Sequence, residues 1–92
     1  MSAMNSEQTA KRIEEILRKE FSPSQLEVED QSYMHAGHKA AGGGGHFLVT
    51  VASKRFNGLS PLARQRLVIE AMGPMMDREI HALSMKCLPD NG

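Results

Sequence analysis

The sequence predicts an α+β fold in which helices cover one face of a three-stranded mixed sheet. Three features carry that expectation. Apolar residues recur at three- and four-residue spacing over residues 6–20 and again after Ser60, the period of a helix with one buried face. Two shorter segments, around Leu26–Val28 and Phe47–Val51, place apolar residues at every second position, as a half-buried strand does. A last apolar segment over 80–87 follows the second helical one. Separated from its neighbour by a helix, it returns parallel through a right-handed crossover. The expected order is α-β-β-α-(α)-β.

Each element has a local cause. Asn5 or Ser6 can accept a hydrogen bond from the first free amides of a helix over 6–20, and Glu7 suits its first turn. Ala10, Ile13, Ile16, Leu17 and Phe21 make its apolar face, and Ser22-Pro23-Ser24 stops it because a residue before proline avoids helical angles. Leu26 and Val28 alternate with Glu27 and Glu29, whose carboxylates mark the wet face of the first strand. Residues 31–45 show no period. A loop of that length in a small domain is commonly functional or disordered. In the second strand, 46–53, Phe47, Val49 and Val51 share a face. A turn through Asn57-Gly58 leads to Ser60-Pro61, a cap followed by proline at the first helical position. That helix carries Leu62, Leu67, Val68, Ile69 and Met72 and ends at Gly73-Pro74, with a short turn or helix over 75–79 before the last strand. Residues 1–5 and 89–92 are expected to fray.

Ninety-two residues make one domain. A chain of this length buries roughly 60–65% of its unfolded surface, enough for one core but not for a deep cleft with a lid. The formal net charge is zero, so the molecule as a whole has no electrostatic pull toward nucleic acid. Locally, residues 7–30 carry seven acids against four bases. Lys54, Arg55, Arg64 and Arg66 have no acid among them and form a small basic patch, a pattern typical of a solvated face. The single Cys87 rules out an internal disulfide. No apolar run reaches the ~18 residues of a membrane helix, and the N-terminus lacks the apolar stretch of a secretory signal. A reducing compartment is expected: the cytoplasm, or an organelle matrix such as that of the mitochondrion.

Four histidines carry the chemical interest: His35 and His38 in the loop, His46 opening the second strand and His81 opening the third. Neutral imidazole ligates zinc and iron, and His35-x-x-His38 lets two rings reach one ion. His81 shares strand parity with Leu83 and Met85, and at the strand's beginning it can lean against the core yet meet solvent at the sheet's end, a position that suits a ligand or a packed histidine. Cys87 lies six residues further along, about 20 Å away at the strand rise, too far to share a metal with His81. A two-iron cluster wants four ligands, mostly thiolates. The loop and His81 offer nitrogens alone, so a second protein must bring the sulfur. Catalytic patterns are scarce: there is no G-x-S-x-G, and Cys87 has no histidine partner in the pattern. The run Gly42–Gly45 satisfies the G-x-x-G of KH nucleic-acid modules. That clamp joins two helices, whereas this run lies in a β-hairpin and reads as a flexible loop.

Several segments together resemble the BolA family: Asp30-Gln-Ser-Tyr-Met-His35, His46-Phe47, Val51-Ala-Ser53, Phe56-Asn-Gly58, Arg64-Gln-Arg66 and Ile80-His-Ala-Leu83. They keep the family's order and spacing from residue 7 to about 88. The resemblance implies an α-β-β-α-α-β fold of the class II KH-like type. It also implies a non-enzymatic partnership with a monothiol (CGFS) glutaredoxin, in which the two proteins bridge a 2Fe-2S cluster. The glutaredoxin and its glutathione supply sulfur. The BolA-like protein supplies His81 and a loop ligand that falls at His35, with His38 as the alternative. A monomer alone and a heterodimer with the partner are expected.

The chain departs from the family where its R-H-R reads Arg64-Gln65-Arg66, and where Gly42–Gly45 replaces a more polar stretch. Some relatives are reported as transcription factors, so a second reading is a nucleic-acid-binding regulator contacting phosphates through Lys54, Arg55, Arg64 and Arg66. Four such contacts give a log–log salt slope of about −3 to −4. A third reading is an interaction module whose histidines are incidental.

Overall fold

The computed structural model describes residues 5–31, 45–76 and 78–90. Helix α1 spans Ser6–Phe21. Asn5 opens it with a reciprocal capping box: its side chain accepts from the Gln8 amide at 2.8 Å, and the Gln8 side chain accepts from the Asn5 amide at 3.0 Å. Two otherwise orphaned donors are thereby satisfied. Arg18 and Lys19 in the last turn complement the helix dipole. Ser22 ends the helix in the left-handed region, and its amide donates to the Arg18 carbonyl at 3.2 Å.

Strands β1 (Gln25–Asp30), β2 (Gly45–Ser53) and β3 (Ile80–Pro89) form one sheet in the order β1-β2-β3. β1 and β2 pair antiparallel, β2 and β3 parallel. Between β2 and β3 runs helix α2, Pro61–Met72, capped by Ser60, whose hydroxyl accepts from the Ala63 amide at 3.1 Å. Gly73 closes α2 at φ 57°, ψ −131°, angles that a Cβ disfavours. The short element expected near 75–79 is a single 3₁₀ turn at Gly73–Met75, and a second such turn, Lys54–Phe56, follows β2. The arrangement is the predicted α+β fold, with two α-helices on a three-stranded mixed sheet.

Side-chain alternation divides the sheet. Phe47, Val49 and Val51 are fully buried under Ile13, Leu17 and Phe21 of α1 and Val68 and Met72 of α2. Leu26, Val28, Leu83, Met85 and Cys87 extend this core from the flanking strands. Each fully buried apolar side chain contributes about 1.5–3 kcal/mol relative to exposure. Glu27, Glu29, Ser84 and Lys86 lie on the opposite, exposed face.

The tail holds longer than expected. β3 continues to Pro89, paired with Ser53, and Asp90 exchanges two hydrogen bonds with the Asn57 side chain, at 2.9 and 2.8 Å. A carboxamide offers donor and acceptor together, so one turn residue fastens the strand end. No helix among the described residues is long and apolar enough to cross a membrane.

Candidate functional site

The start of the parallel β2–β3 pair is irregular. Gly45 pairs with Ile80 and His46 with Ala82, so His81 is an extra residue on β3. A bulge of this kind bends the strand and re-aims a side chain. It also shifts the alternation: Ile80 becomes fully buried, Leu83 and Met85 still pack on the core, and His81 is exposed. Of the two settings the sequence left open to His81, core and solvent, the structure gives it solvent. Strict alternation fails at the one position where the strand carries an added residue.

His46, half-buried, follows the buried Gly45 and precedes the buried Phe47. Its position on the strand face away from the helices brings it to His81, with ring centroids 5.2 Å apart and ring planes at 50°. The backbone around the pair is fixed on both sides. The Gln31 amide donates to the His46 carbonyl at 2.8 Å, and the Gly45 amide donates to the Glu79 carbonyl at 3.0 Å. Two imidazoles thus meet at one end of the sheet. Among the described residues, no group of three or more His, Cys, Asp or Glu side chains is placed to hold a metal. His35 and His38 lie outside the described residues, as does all of the glycine run except Gly45, the first residue of β2.

His46 and His81 are far apart in sequence, and nothing in the linear spacing joins them. The signal that does is that each begins one strand of a parallel pair. Cys87 sits toward the other end of β3, half-buried; burial pushes its thiol above the ordinary value, against a smaller opposing pull from Arg64.

The basic residues are not equivalent. Arg55 donates to the Glu20 carbonyl at 2.8 Å and lies over the Phe21 ring, 5.3 Å from its centroid. Arg64 donates to the Leu59 and Cys87 carbonyls, both at 3.0 Å. Lys54 and Arg66 are exposed. Seven residues of β2 separate His46 from Lys54, which puts Lys54 about 26 Å from that histidine.

The BolA-like protein family model matches residues 17–91. The chain is 41% identical over 83 residues to Protein BOLA1, chloroplastic, of Arabidopsis thaliana, covering 86% of this chain and 52% of that protein. It therefore spans about half the length of that curated relative. It is 44% identical over 73 residues to the DNA-binding transcriptional regulator BolA of Vibrio cholerae, covering 79% and 67% of the two chains. Among solved structures, the BolA domain of SufE1 from Arabidopsis thaliana superposes with a TM-score of 0.78 at 38% identity, covering 95% of each chain. A family match across most of the sequence and a shared fold over nearly its whole length lead to one conclusion: this chain belongs to the BolA-like protein family.

Proposed function

We propose that this protein acts without turnover, as a partner of a monothiol CGFS glutaredoxin in assembling, carrying or sensing iron–sulfur clusters. The 2Fe-2S cluster is cargo shared between the two proteins. His81 provides the principal nitrogen from this chain. In the reading drawn from the family resemblance, the second is His35 or His38, and the glutaredoxin cysteine and its glutathione supply sulfur.

One observation carries this reading: the β3 bulge presents His81 to solvent at a hydrogen-bonded sheet end, beside the His46 imidazole. Nitrogen without thiolate is half of a Rieske-type ligand set, and an exposed position lets another protein bring the other half. The test is titration of the chain into a cluster-loaded monothiol glutaredoxin, followed by visible absorption and circular dichroism. A changed cluster spectrum that His81→Ala abolishes supports the proposal. An unchanged spectrum, with no complex by size exclusion, removes it.

The relative from Vibrio cholerae, named a DNA-binding transcriptional regulator, favours examining nucleic acid as the second reading. In that case Lys54, Arg55, Arg64 and Arg66 contact phosphates. Binding that is absent, or that does not change with salt, removes it.

A further inference from the structure

We infer that His46 and His81 together form a two-imidazole chelate that binds a mononuclear divalent transition-metal ion in the chain alone. This goes beyond the adaptor reading: it concerns a mononuclear ion held by the chain alone, and it leaves the loop ligand of the shared cluster at His35 or His38. Its test uses no partner protein, so the two proposals fail separately.

The ring separation is the first argument. A metal–nitrogen bond of about 2.1 Å plus about 1.1 Å from nitrogen to ring centre puts each centroid about 3.2 Å from a shared ion. Two rings arranged so at a tetrahedral angle have centroids about 5.2 Å apart. The His46 and His81 rings stand 5.2 Å apart. Imidazoles stacked as an ordinary aromatic pair occupy a wide range of separations, so this distance alone permits packing as well as chelation.

The second argument is the backbone. A structural histidine at a strand start needs no irregularity. Here β3 takes an extra residue where His81 stands, and the side chain comes out exposed beside His46. Without the bulge, the register that buries Leu83 and Met85 would also turn His81 inward. The Gln31–His46 and Gly45–Glu79 backbone hydrogen bonds hold β2 and the approach to β3 in this relation. Ligand positions set on hydrogen-bonded strands lose little freedom on binding.

The third argument is ligand chemistry. Two imidazole nitrogens suit the later first-row ions. Affinity should rise from cobalt through nickel to copper, with zinc below copper. Chelation makes the second bond intramolecular, so loss of either ring costs on the order of a hundredfold in affinity.

The experiment is calorimetric titration of the full metal-free chain with zinc and with nickel, alongside His46→Ala, His46→Gln, His81→Ala and the double variant His35→Ala/His38→Ala. Far-ultraviolet circular dichroism checks that each is folded. One equivalent should bind the wild type. Each His46 and His81 variant should weaken binding about a hundredfold, and the double loop variant should stay within about threefold. A second readout on the wild type needs no variant: substoichiometric nickel should broaden the ring resonances of His46 and His81 together. The inference is overturned if the wild type binds neither ion, if the His46 variants bind like the wild type, or if the double loop variant loses binding. Broadening of His35 and His38 without His46 overturns it as well. None of these results depends on whether a glutaredoxin forms a cluster with the chain.

Discussion

The Arg64 guanidinium ties helix α2 to edge strand β3: its Nη1 donates to the Cys87 carbonyl at 3.0 Å. Its Nε donates to the Leu59 carbonyl at 3.0 Å, just ahead of the Ser60 cap. One side chain therefore joins the approach to α2, the helix itself and the outer strand.

Replacing Arg64 by alanine removes two charge-assisted, half-buried hydrogen bonds and should lower stability by about 1–3 kcal/mol. Lysine should recover only part of that loss, because a single ammonium cannot reproduce the planar fork. Urea denaturation of wild type, Arg64→Ala and Arg64→Lys measures this. If Arg64→Ala is as stable as the wild type, the side chain is free for a ligand and its structural role is wrong.

Cys87 gives a pH prediction. Its folded-state thiol is raised, chiefly by burial, with Arg64 opposing. The folded state therefore holds the proton more firmly than the unfolded chain. The associated stability is fully present below the ordinary thiol range and is lost as pH rises through that range toward the raised value. The difference in stability between wild type and Cys87→Ala should fall over this window, while other titrating groups cancel in the comparison. At neutral pH, iodoacetamide should modify Cys87 more slowly than a free cysteine, since the thiolate is the nucleophile. Modification as fast as in the unfolded chain contradicts the burial.

What the sequence made legible follows from the range of each interaction. Helix α1, the Ser60-Pro61 start of α2 and the alternation of Phe47, Val49 and Val51 are local patterns, and the structure keeps all of them. The antiparallel and parallel pairings follow from loop length and crossover geometry, so the sheet was legible too. The bulge at His81 was not, because it exists only in the register between β2 and β3. The meeting of His46 with His81 depends on that register and stayed hidden with it. The sequence groups Lys54, Arg55, Arg64 and Arg66 as one charged set. It does not show that Arg55 and Arg64 direct their donors to backbone carbonyls.

Ser53 joins three elements at the end of β2. Its buried hydroxyl donates to the Phe21 carbonyl at 2.7 Å and accepts from the Arg55 amide at 3.1 Å. Both backbone groups belong to chain ends that lack regular partners: the last turn of α1 and the first turn of the 3₁₀ segment. Ser53→Ala leaves the Phe21 carbonyl unsatisfied in a nearly water-free site and should cost about 1–3 kcal/mol. Thermal and urea unfolding should agree on the loss. A change below about 0.5 kcal/mol, the range of surface substitutions, means that water replaces the hydroxyl.

Lys54 and Arg66 are exposed members of the basic set for which no hydrogen bond is seen among the described residues, and Lys54 follows the end of β2 opposite His46. The double variant Lys54→Ala/Arg66→Ala should stay within about 0.5 kcal/mol of wild-type stability. It should leave the cluster spectrum with glutaredoxin unchanged, because neither residue belongs to the histidine pair and about 26 Å of strand separates Lys54 from His46. Nucleic-acid binding responds differently. Arg55 and Arg64 keep their charge and further N–H donors beside the carbonyls they bond, so four phosphate contacts give a log–log salt slope of about −3 to −4. In the double variant, with Arg55 and Arg64 left, it should fall to about −2. A slope near −4 that survives the double substitution means that other cations bind the phosphates. A glutaredoxin complex lost in the double variant moves the docking surface to the far end of the sheet.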